Sequence, residues 1–463
     1  MATFFARKCC GVMLILLSAP TVFLLAQQHL SLQNLIDASR ANFPVLKQKL
    51  SLINANKAAI ADIKHSFLPQ LKFSEQLNIG SDNSLAGSYL PLAATPSTSG
   101  GVRSDNNFQP ATGNIAVLYS DYELANFGLN SARLSNAQTY VNLSEADLQK
   151  EAYLLDVNIA RLYLNIQKGQ YRLKADAQNI ERYQSIFNVI RALTLSGLKA
   201  GSDSSLAKAE LSKTRISYNQ TLGSINQLKQ QLAYLTGISA TNCTIDTLAN
   251  NPLISQPIIS SFIVDTVNNP LIDYYAKKKA IFLSNDLLIK KSYLPKIVLA
   301  GSTWMRGSSI QYNDNYKSLV TGLGYQRFNY TVGVAFTYSL FNGIYKKDKL
   351  AINRYQTEAT DFELQQQKLA LNASSLQADN ALQTTQANLL ELPIQLQSAQ
   401  DTYQQKLAQY KAGIISLIDL TNASFVLYRS QTDYIETISD WYLAQLDKAA
   451  ATGNLNQFIQ TIK

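Results

Sequence analysis

The chain has 463 residues, of which 46% are apolar and only 16% charged, with a formal net charge of +9. Two histidines and three cysteines argue against a histidine-based catalytic centre, a zinc cluster or a disulfide framework. The apolar share excludes a disordered chain.

Residues 1–26 carry Arg7 and Lys8, then an apolar run from Val12 to Leu25 broken by Pro20, then the small residue Ala26. This is the layout of a cleavable export signal. Cys9 and Cys10 precede the apolar run, so no lipid anchor is expected. The mature chain is expected to begin near Gln27, with a charge of +7 after loss of Arg7 and Lys8 and with Cys243 as its one cysteine. Beyond residue 26 no stretch reaches the ~18–20 apolar residues of a membrane helix. Entry into a membrane therefore requires strands.

The rest of the chain is written twice. Ser66-Phe67-Leu68-Pro69-Gln70-Leu71 recurs as Ser292-Tyr293-Leu294-Pro295-Lys296-Ile297, and Pro44 recurs as Pro270. Tyr122, Leu124 and Asn126 recur as Tyr338, Leu340 and Asn342, at a spacing ten residues shorter. Lys199-Ala200-Gly201 recurs as Lys411-Ala412-Gly413, four residues shorter again. The first loss falls in an expected loop. The second falls inside an expected long helix, where four residues are about one turn. Each copy reads as helix, strand, loop, strand, long helix, tight turn and returning helix. The expected units are 27–236, a connector at 237–268, and 269–463.

Strands are read from period-two alternation. Leu71, Phe73, Leu77 and Ile79 alternate with Lys72, Ser74, Gln76 and Asn78. Ile115, Val117 and Tyr119 alternate less cleanly, and Lys296 to Trp304 is strand-like. Tyr330, Val332, Val334, Phe336, Tyr338 and Leu340 face away from Thr331, Gly333, Ala335, Thr337 and Ser339. An apolar face opposite a small polar one suits a barrel wall between lipid and a wet lumen. Phe67, Tyr122, Phe127, Tyr293, Phe341 and Tyr345 cluster where strands meet helices, with Lys290, Lys291, Lys346, Lys347 and Lys349 beside them, as at a membrane interface. Ser81–Pro110 and Gly307–Asn329 read as long exposed loops.

From about Asn130 to Ser196 there is no proline, which allows ~100 Å of helix. Val141, Leu148, Leu155 and Leu162 recur by seven, with Ile159 and Ile166 between. A second line holds Leu143, Leu154, Val157 and Leu164. The second long helix, about Tyr345 to Tyr410, repeats the pattern through Leu382, Leu389, Leu392, Leu396, Ala399, Tyr403 and Leu407, with Pro393 expected to bend it. Returning helices are expected at Asp203–Leu235 and Ser416–Leu446, with Gly201 and Gly413 left-handed at the turns. Four strands cannot close a transmembrane barrel, and open edges are not tolerated in lipid, so several copies must share one.

The duplicated SxLP strand entries, the YSLFNG exit at 338–343 and the segment YKAGIISLIDLTNASFVLYRSQTDYIETISDWYLAQL from Tyr410 resemble the outer-membrane efflux protein family of the TolC type. The resemblance implies a mainly α fold with a membrane β part: long helical hairpins forming a periplasmic α-barrel, and four strands per chain in a shared trimeric twelve-stranded β-barrel. It implies the outer membrane as location, with a large periplasmic portion. It also implies a homotrimer embedded in outer-membrane lipid, docked to a periplasmic adaptor and an inner-membrane transporter, serving efflux or type I secretion. No enzyme motif, cofactor or metal cluster is read, and the spread charge, including Lys277–Lys279, does not suggest nucleic acid. At the family's closing tip, Asp419 matches one acidic ring position and Asn422 stands at a second. Tyr410 matches a linking tyrosine, and Ile415 replaces a linking arginine. Gly413, Leu198, Lys199, Gly201 and Asp203 are further tip candidates. Asp419 reads equally as a first-turn helix residue and Asp203 as an N-cap. The competing reading is an exported periplasmic coiled-coil structural or adaptor protein, which leaves the strands unexplained.

Overall fold

The computed structural model describes residues 29–92, 95–241, 244–245 and 269–462. The expected export signal, Cys243 and most of the expected connector lie outside the described residues. A short strand β1 (His29–Leu30) leads into α1 (Leu32–Asn42) and α2 (Pro44–His65). Ser31 caps α1, its Oγ accepting from the Asn34 amide at 3.3 Å. Pro44 opens α2, where a missing amide hydrogen costs nothing. Strand β2 (Gln70–Gly80), the hairpin β3 (Ser84–Leu92) and β4 (Thr95–Val102), and strand β5 (Ala111–Ala125) follow. Helix α3 (Leu129–Leu195) has 67 residues and α4 (Gly201–Thr236) has 36. Strand β6 (Thr244–Ile245) pairs in parallel with β1. The second copy holds α5 (Pro270–Ser292), β7 (Lys296–Ser308), the short strands β8 (Ile310–Gln311) and β9 (Asn315–Tyr316), a 3₁₀ turn at Leu319–Leu323, and β10 (Arg327–Thr337). It ends with α6 (Asn342–Lys411), α7 (Leu417–Thr452) and α8 (Leu455–Thr461).

The stretches read as loops contain ladders of their own, β3–β4 and β8–β9, which pair backbone groups that would otherwise depend on water. Strand β10 stops at Thr337 rather than Leu340. Thr337 opposes Lys296, the first residue of β7, so the partner strand ends there. The chain then turns, the Asn342 amide donating to Ser339 O at 3.2 Å and its side chain to Tyr293 O at 2.9 Å.

The two copies keep a more constant spacing than the KAG repeat suggests. Gly201 and Leu417 open the returning helices, Thr236 and Thr452 end them, and Gly237 and Gly453 cap them, each pair 216 residues apart. Arg327 opens β10 at that same distance, 216 residues, from Ala111 of β5. No turn is deleted inside the long helix. The glycine that closes α3 is Gly197, with φ of 73°, and its equivalent is Gly413, with φ of 74°. Gly201 is instead the first residue of α4. Both tips share one cap: Leu198 N donates to Leu193 O and Ile414 N to Gln409 O, each at 2.9 Å. This six-to-one bond needs a left-handed residue, which glycine adopts without a Cβ penalty.

The four longest strands form one antiparallel sheet in the order β10-β7-β5-β2. Directly opposed residues share a face. Phe73 opposes Leu118, then Thr303, then Tyr330. Tyr122 opposes Leu299, then Val334, while Ile297 opposes Phe336. One face thus gathers Leu71, Phe73, Leu118, Tyr122, Leu299, Tyr330, Val332, Val334 and Phe336. The other face carries Lys72, Tyr119, Ser302 and Thr331 on one rung and Ser74, Val117, Trp304 and Asn329 on the next. Ile115, Val117 and Tyr119 therefore lie on the polar side, opposite in phase to the apolar side that β5 suggests when read alone. Register overrides the weak alternation of a single strand. At the far end of the apolar face, the 3₁₀ turn covers the sheet. Thr112 Oγ1 donates to Leu319 O, and Asn114 Nδ2 to Leu323 O at 2.8 Å.

The helices pack into two apolar clusters. Leu35, Ile36, Ile159, Ile166, Leu232, Leu446 and Phe458 join α1, α3, α4, α7 and α8. Nearer the tips, Ile190, Leu211, Tyr403, Tyr410 and Leu420 join α3, α4, α6 and α7. The first expected stripe of α3 is buried at Val141, Leu155, Ile159, Leu162 and Ile166, with Leu148 packed against the core, whereas the second splits, with Leu164 buried and Leu154 exposed. Helix α6 runs continuously through Pro393. Gly169 of α3 faces Ile225 of α4, and a Cβ there would lie 2.7 Å from Ile225 Cγ1. Gly169→Ala is expected to destabilise the hairpin by about 1–3 kcal/mol through overpacking. Comparing its thermal unfolding midpoint with wild type checks this.

Candidate functional site

Two regions carry the expected functional residues: the hairpin tips and the junctions between sheet and helices. At the junctions Phe67, Phe127, Tyr293 and Phe341 lie between helix and strand, while Tyr122 is near the end of β5 and Tyr345 is in the first turn of α6. Tyr293 ends α5, Phe341 precedes α6, and Phe127 takes a left-handed φ of 50° just before α3. Of the neighbouring lysines, Lys290 pairs with Asp286 at 2.6 Å. The triplet Lys277, Lys278 and Lys279 is consumed by Asp273, Glu363 and Asp361, so it is no free cationic patch.

At the tips, Asp203 and Asp419 occupy equivalent positions, 216 residues apart, in the first turns of α4 and α7. Their surroundings differ. Asp419 forms a capping box: its Oδ2 accepts from Ser416 N at 3.1 Å and Ser416 Oγ at 2.6 Å, while Ser416 Oγ accepts from the Asp419 amide at 3.3 Å. Hydrogen bonds from the Ser416 side chain and backbone hold the Asp419 carboxyl below the usual range. In α4 the equivalent cap is Ala200, which has no side-chain acceptor. Asn422, Leu198, Gly413 and Asp419 are all exposed. Tyr410 is only 4% exposed, packed among Tyr403, Leu417 and Leu420, with its hydroxyl lacking a hydrogen-bond partner among the described residues. Burial, and then Asp203, push that phenol upward. Lys199 Nζ lies 5.9 Å over the Tyr410 ring, linking the two tips, and Ile415 packs against the same cluster.

Polar ties hold the helices beneath the tips, and sequence reading missed them. The Asp176 carboxylate, 1% exposed, accepts from Thr221 Oγ1 at 2.6 Å and Tyr428 OH at 2.5 Å, joining α3 to α4 and α7. Buried Lys448 reaches Asp379 at 2.6 Å and Ser375 at 2.8 Å, joining α7 to α6. Along the α3–α7 seam, Arg161 pairs with Asp447 at 2.5 Å, Lys168 with Asp440 at 3.5 Å and Arg172 with Glu436 at 2.9 Å. The missed signal on α6 is an apolar line recurring mostly by seven, Tyr355, Phe362, Leu369, Leu376 and Leu390, flanked by Ile352 and Ile394, and every one of these is exposed. No group of three or more His, Cys, Asp or Glu side chains among the described residues is arranged to hold a metal ion.

The model of the outer membrane efflux protein family matches residues 35–238 and 290–454. The chain belongs to that family. Solved structures agree with the fold. The outer-membrane channel OprN is 18% identical, with a TM-score of 0.72 over 91% of this chain and 90% of that one. The Campylobacter jejuni CmeC outer membrane channel is 14% identical, with a TM-score of 0.71 over 93% of this chain and 90% of that one. The Neisseria gonorrhoeae MtrE outer membrane channel, solved in its open state, is 17% identical, with a TM-score of 0.69 over 92% and 89%. No curated protein matches the chain by sequence. The protein is an outer-membrane efflux channel of TolC-like fold, from a transport family rather than an enzyme family. The reading as a periplasmic structural or adaptor protein finds no support.

The two caps make separable predictions. Ser416→Ala removes the side-chain cap of α7 and is expected to cost about 1 kcal/mol, while Ala200→Ser at the uncapped tip is expected to stabilise by a similar amount. Thermal melts of the two variants check both signs. Because the Asp419 carboxyl is depressed in the folded chain, its contribution is present above the unfolded value of about 3.9 and is lost as pH falls through the folded value. Protection factors at the first amides of α7, taken relative to the intrinsic exchange rate at each pH, are expected to fall on acidification through that range, and not in Asp419→Ala.

Proposed function

We propose that three copies of this chain close one twelve-stranded barrel through the outer membrane, continue it as a helical tunnel through the periplasm, and pass solutes outward from a periplasmic adaptor coupled to an inner-membrane transporter. The observation that carries this is a double incompleteness. Among the described residues the sheet has two free edges, β2 and β10, and lipid tolerates none. Among the described residues nothing covers the apolar stripe of helix α6, with Leu369 70% and Leu390 73% exposed. A seam of that spacing is what a facing helix covers. Two copies would leave a barrel of eight strands filled by its own side chains, whereas three leave a wet lumen. The apolar face then meets lipid, and the polar face, with Lys72, Ser74, Gln76 and Asn78, meets water. The exposed Leu195, Leu198, Ile414 and Ile418 at the tips support adaptor docking there. Three Asp419 carboxylates about the axis favour cations at the tunnel entrance.

Native mass spectrometry in mild detergent is expected to show trimers for wild type and a shift to monomer for Leu369→Glu/Leu376→Glu. Trimers of unchanged abundance in that variant would remove the stripe from the interface. In planar bilayers, Asp419→Ala is expected to weaken block of single-channel current by divalent cations added at the tip side. Undiminished block would remove Asp419 from the entrance.

A further inference from the structure

The polar face of the sheet is not evenly neutral. Arg306 of β7 and Arg327 of β10 are directly opposed, and the rung continues through Ile115 to Gln76. Like charges directly opposite in a sheet repel, so such a pair calls for a counter-charge. None is present. Among the described residues neither guanidinium makes an ion pair; Arg327 donates only to the neighbouring Gln326 carbonyl at 2.8 Å. The carboxylates of this face lie at the other end. Asp121 opposes Ala300 and Gln70, six residues along β5 from Ile115, or about 20 Å at ~3.3 Å per residue. That exceeds the ~8 Å screening length at physiological ionic strength. Glu123 is occupied by Lys296 at 3.2 Å. Glu75 is on the opposite face and accepts from Tyr325 OH at 2.6 Å. Asp314, in the loop beyond, is occupied by Arg103 at 2.6 Å.

Strand β2 of a neighbouring copy supplies no remedy. The edge strand that would meet β10 is β2, and its polar face consists of Gln70, Lys72, Ser74, Gln76 and Asn78. It holds one cation and no carboxylate, so no residue of β2 itself neutralises Arg327 across a β10–β2 seam. The next rung on the same face, ~7 Å away, places Val117 beside Trp304. A flat apolar surface therefore adjoins two unpaired guanidiniums.

We propose that Arg306, Arg327, Trp304 and Val117 form a contact site for amphiphilic organic anions on the wall of the lumen, the acid group held by the guanidinium pair and the apolar body lying on Trp304. Guanidinium groups grip carboxylates and sulfonates in bidentate fashion, and the indole supplies stacking area. The site rests on the reading that the polar face lines the lumen of a closed barrel.

The chain has two tryptophans, Trp304 and Trp441, and Trp441 is buried in the helical core, so fluorescence quenching reports on Trp304. The purified assembled protein is titrated with 4-nitrobenzenesulfonate, with 4-nitrobenzyl alcohol as the neutral comparison. Saturable quenching by the sulfonate is expected, with only linear collisional quenching by the alcohol. Saturation is expected to vanish in Arg306→Gln/Arg327→Gln and to persist in Arg306→Lys/Arg327→Lys. Trp304→Phe is expected to abolish the quenchable signal. Equal quenching by both probes, or saturation unchanged in the glutamine variant, overturns the site. Conductance of the same preparation in planar bilayers separates the two readings: a conducting channel without saturable quenching defeats the anion site alone, whereas no conductance in wild type defeats both.

Discussion

Hydrocarbon offers no partner for a backbone amide or carbonyl, and that constraint governs the rest of this protein. Strands β2 and β10 each leave one side of their ladder open, so a single chain has no stable place in a bilayer. The apolar set on one side of the sheet, from Leu71 to Phe336, and the polar set on the other require lipid and water at the same time. The helices meet an analogous demand by other means. Helix α6 buries Ala399, Tyr403 and Tyr410 within the chain and leaves its stripe from Ile352 to Ile394 exposed. Sheet and helix are thus unfinished in the same sense.

Duplication explains how one chain supplies two similar walls. From β5 onward the copies hold a constant spacing, and their ends are fixed by backbone chemistry: left-handed glycines at 197 and 413 close the long helices, and those at 237 and 453 close the returning ones. Between these ends the copies diverge. Ser416 caps its helix, and Ala200 in the equivalent place has no side chain to do so. The interior is tied by buried polar groups as well as by apolar contact. Such groups cost heavily when left unpaired, and Asp176 and Lys448 each have close partners on neighbouring helices. Asp156 accepts from Arg40 across α1 and α3 in the same way.

The elements themselves were legible because their signals are long or repeated. Sixty-seven residues without proline read as α3 to within a residue, and strong alternation gave β2 and β10. What failed was local. Lys199-Ala200-Gly201 and Lys411-Ala412-Gly413 match in letters but not in structure, because the residue that must adopt positive φ is Gly197, four positions earlier. The face of β5 is decided by partners on β2 and β7, which a single strand does not reveal. The exposed α6 stripe is legible by spacing but shares its helix with a stripe packed inside the chain, which masks it. The ties at Asp176 and Lys448 join residues far apart in sequence, and nothing in the local pattern announces them.

The ion pairs between α3 and α7 have uneven steps. Arg161, Lys168 and Arg172 are spaced by seven and then four residues, and Asp447, Asp440 and Glu436 match those intervals in the opposite direction. Sliding one rod past the other by a single turn, either way, would keep one match and lose two. The seam therefore behaves like a vernier: it sets the axial alignment of the two halves, and it favours swinging or twisting of the rods over telescoping.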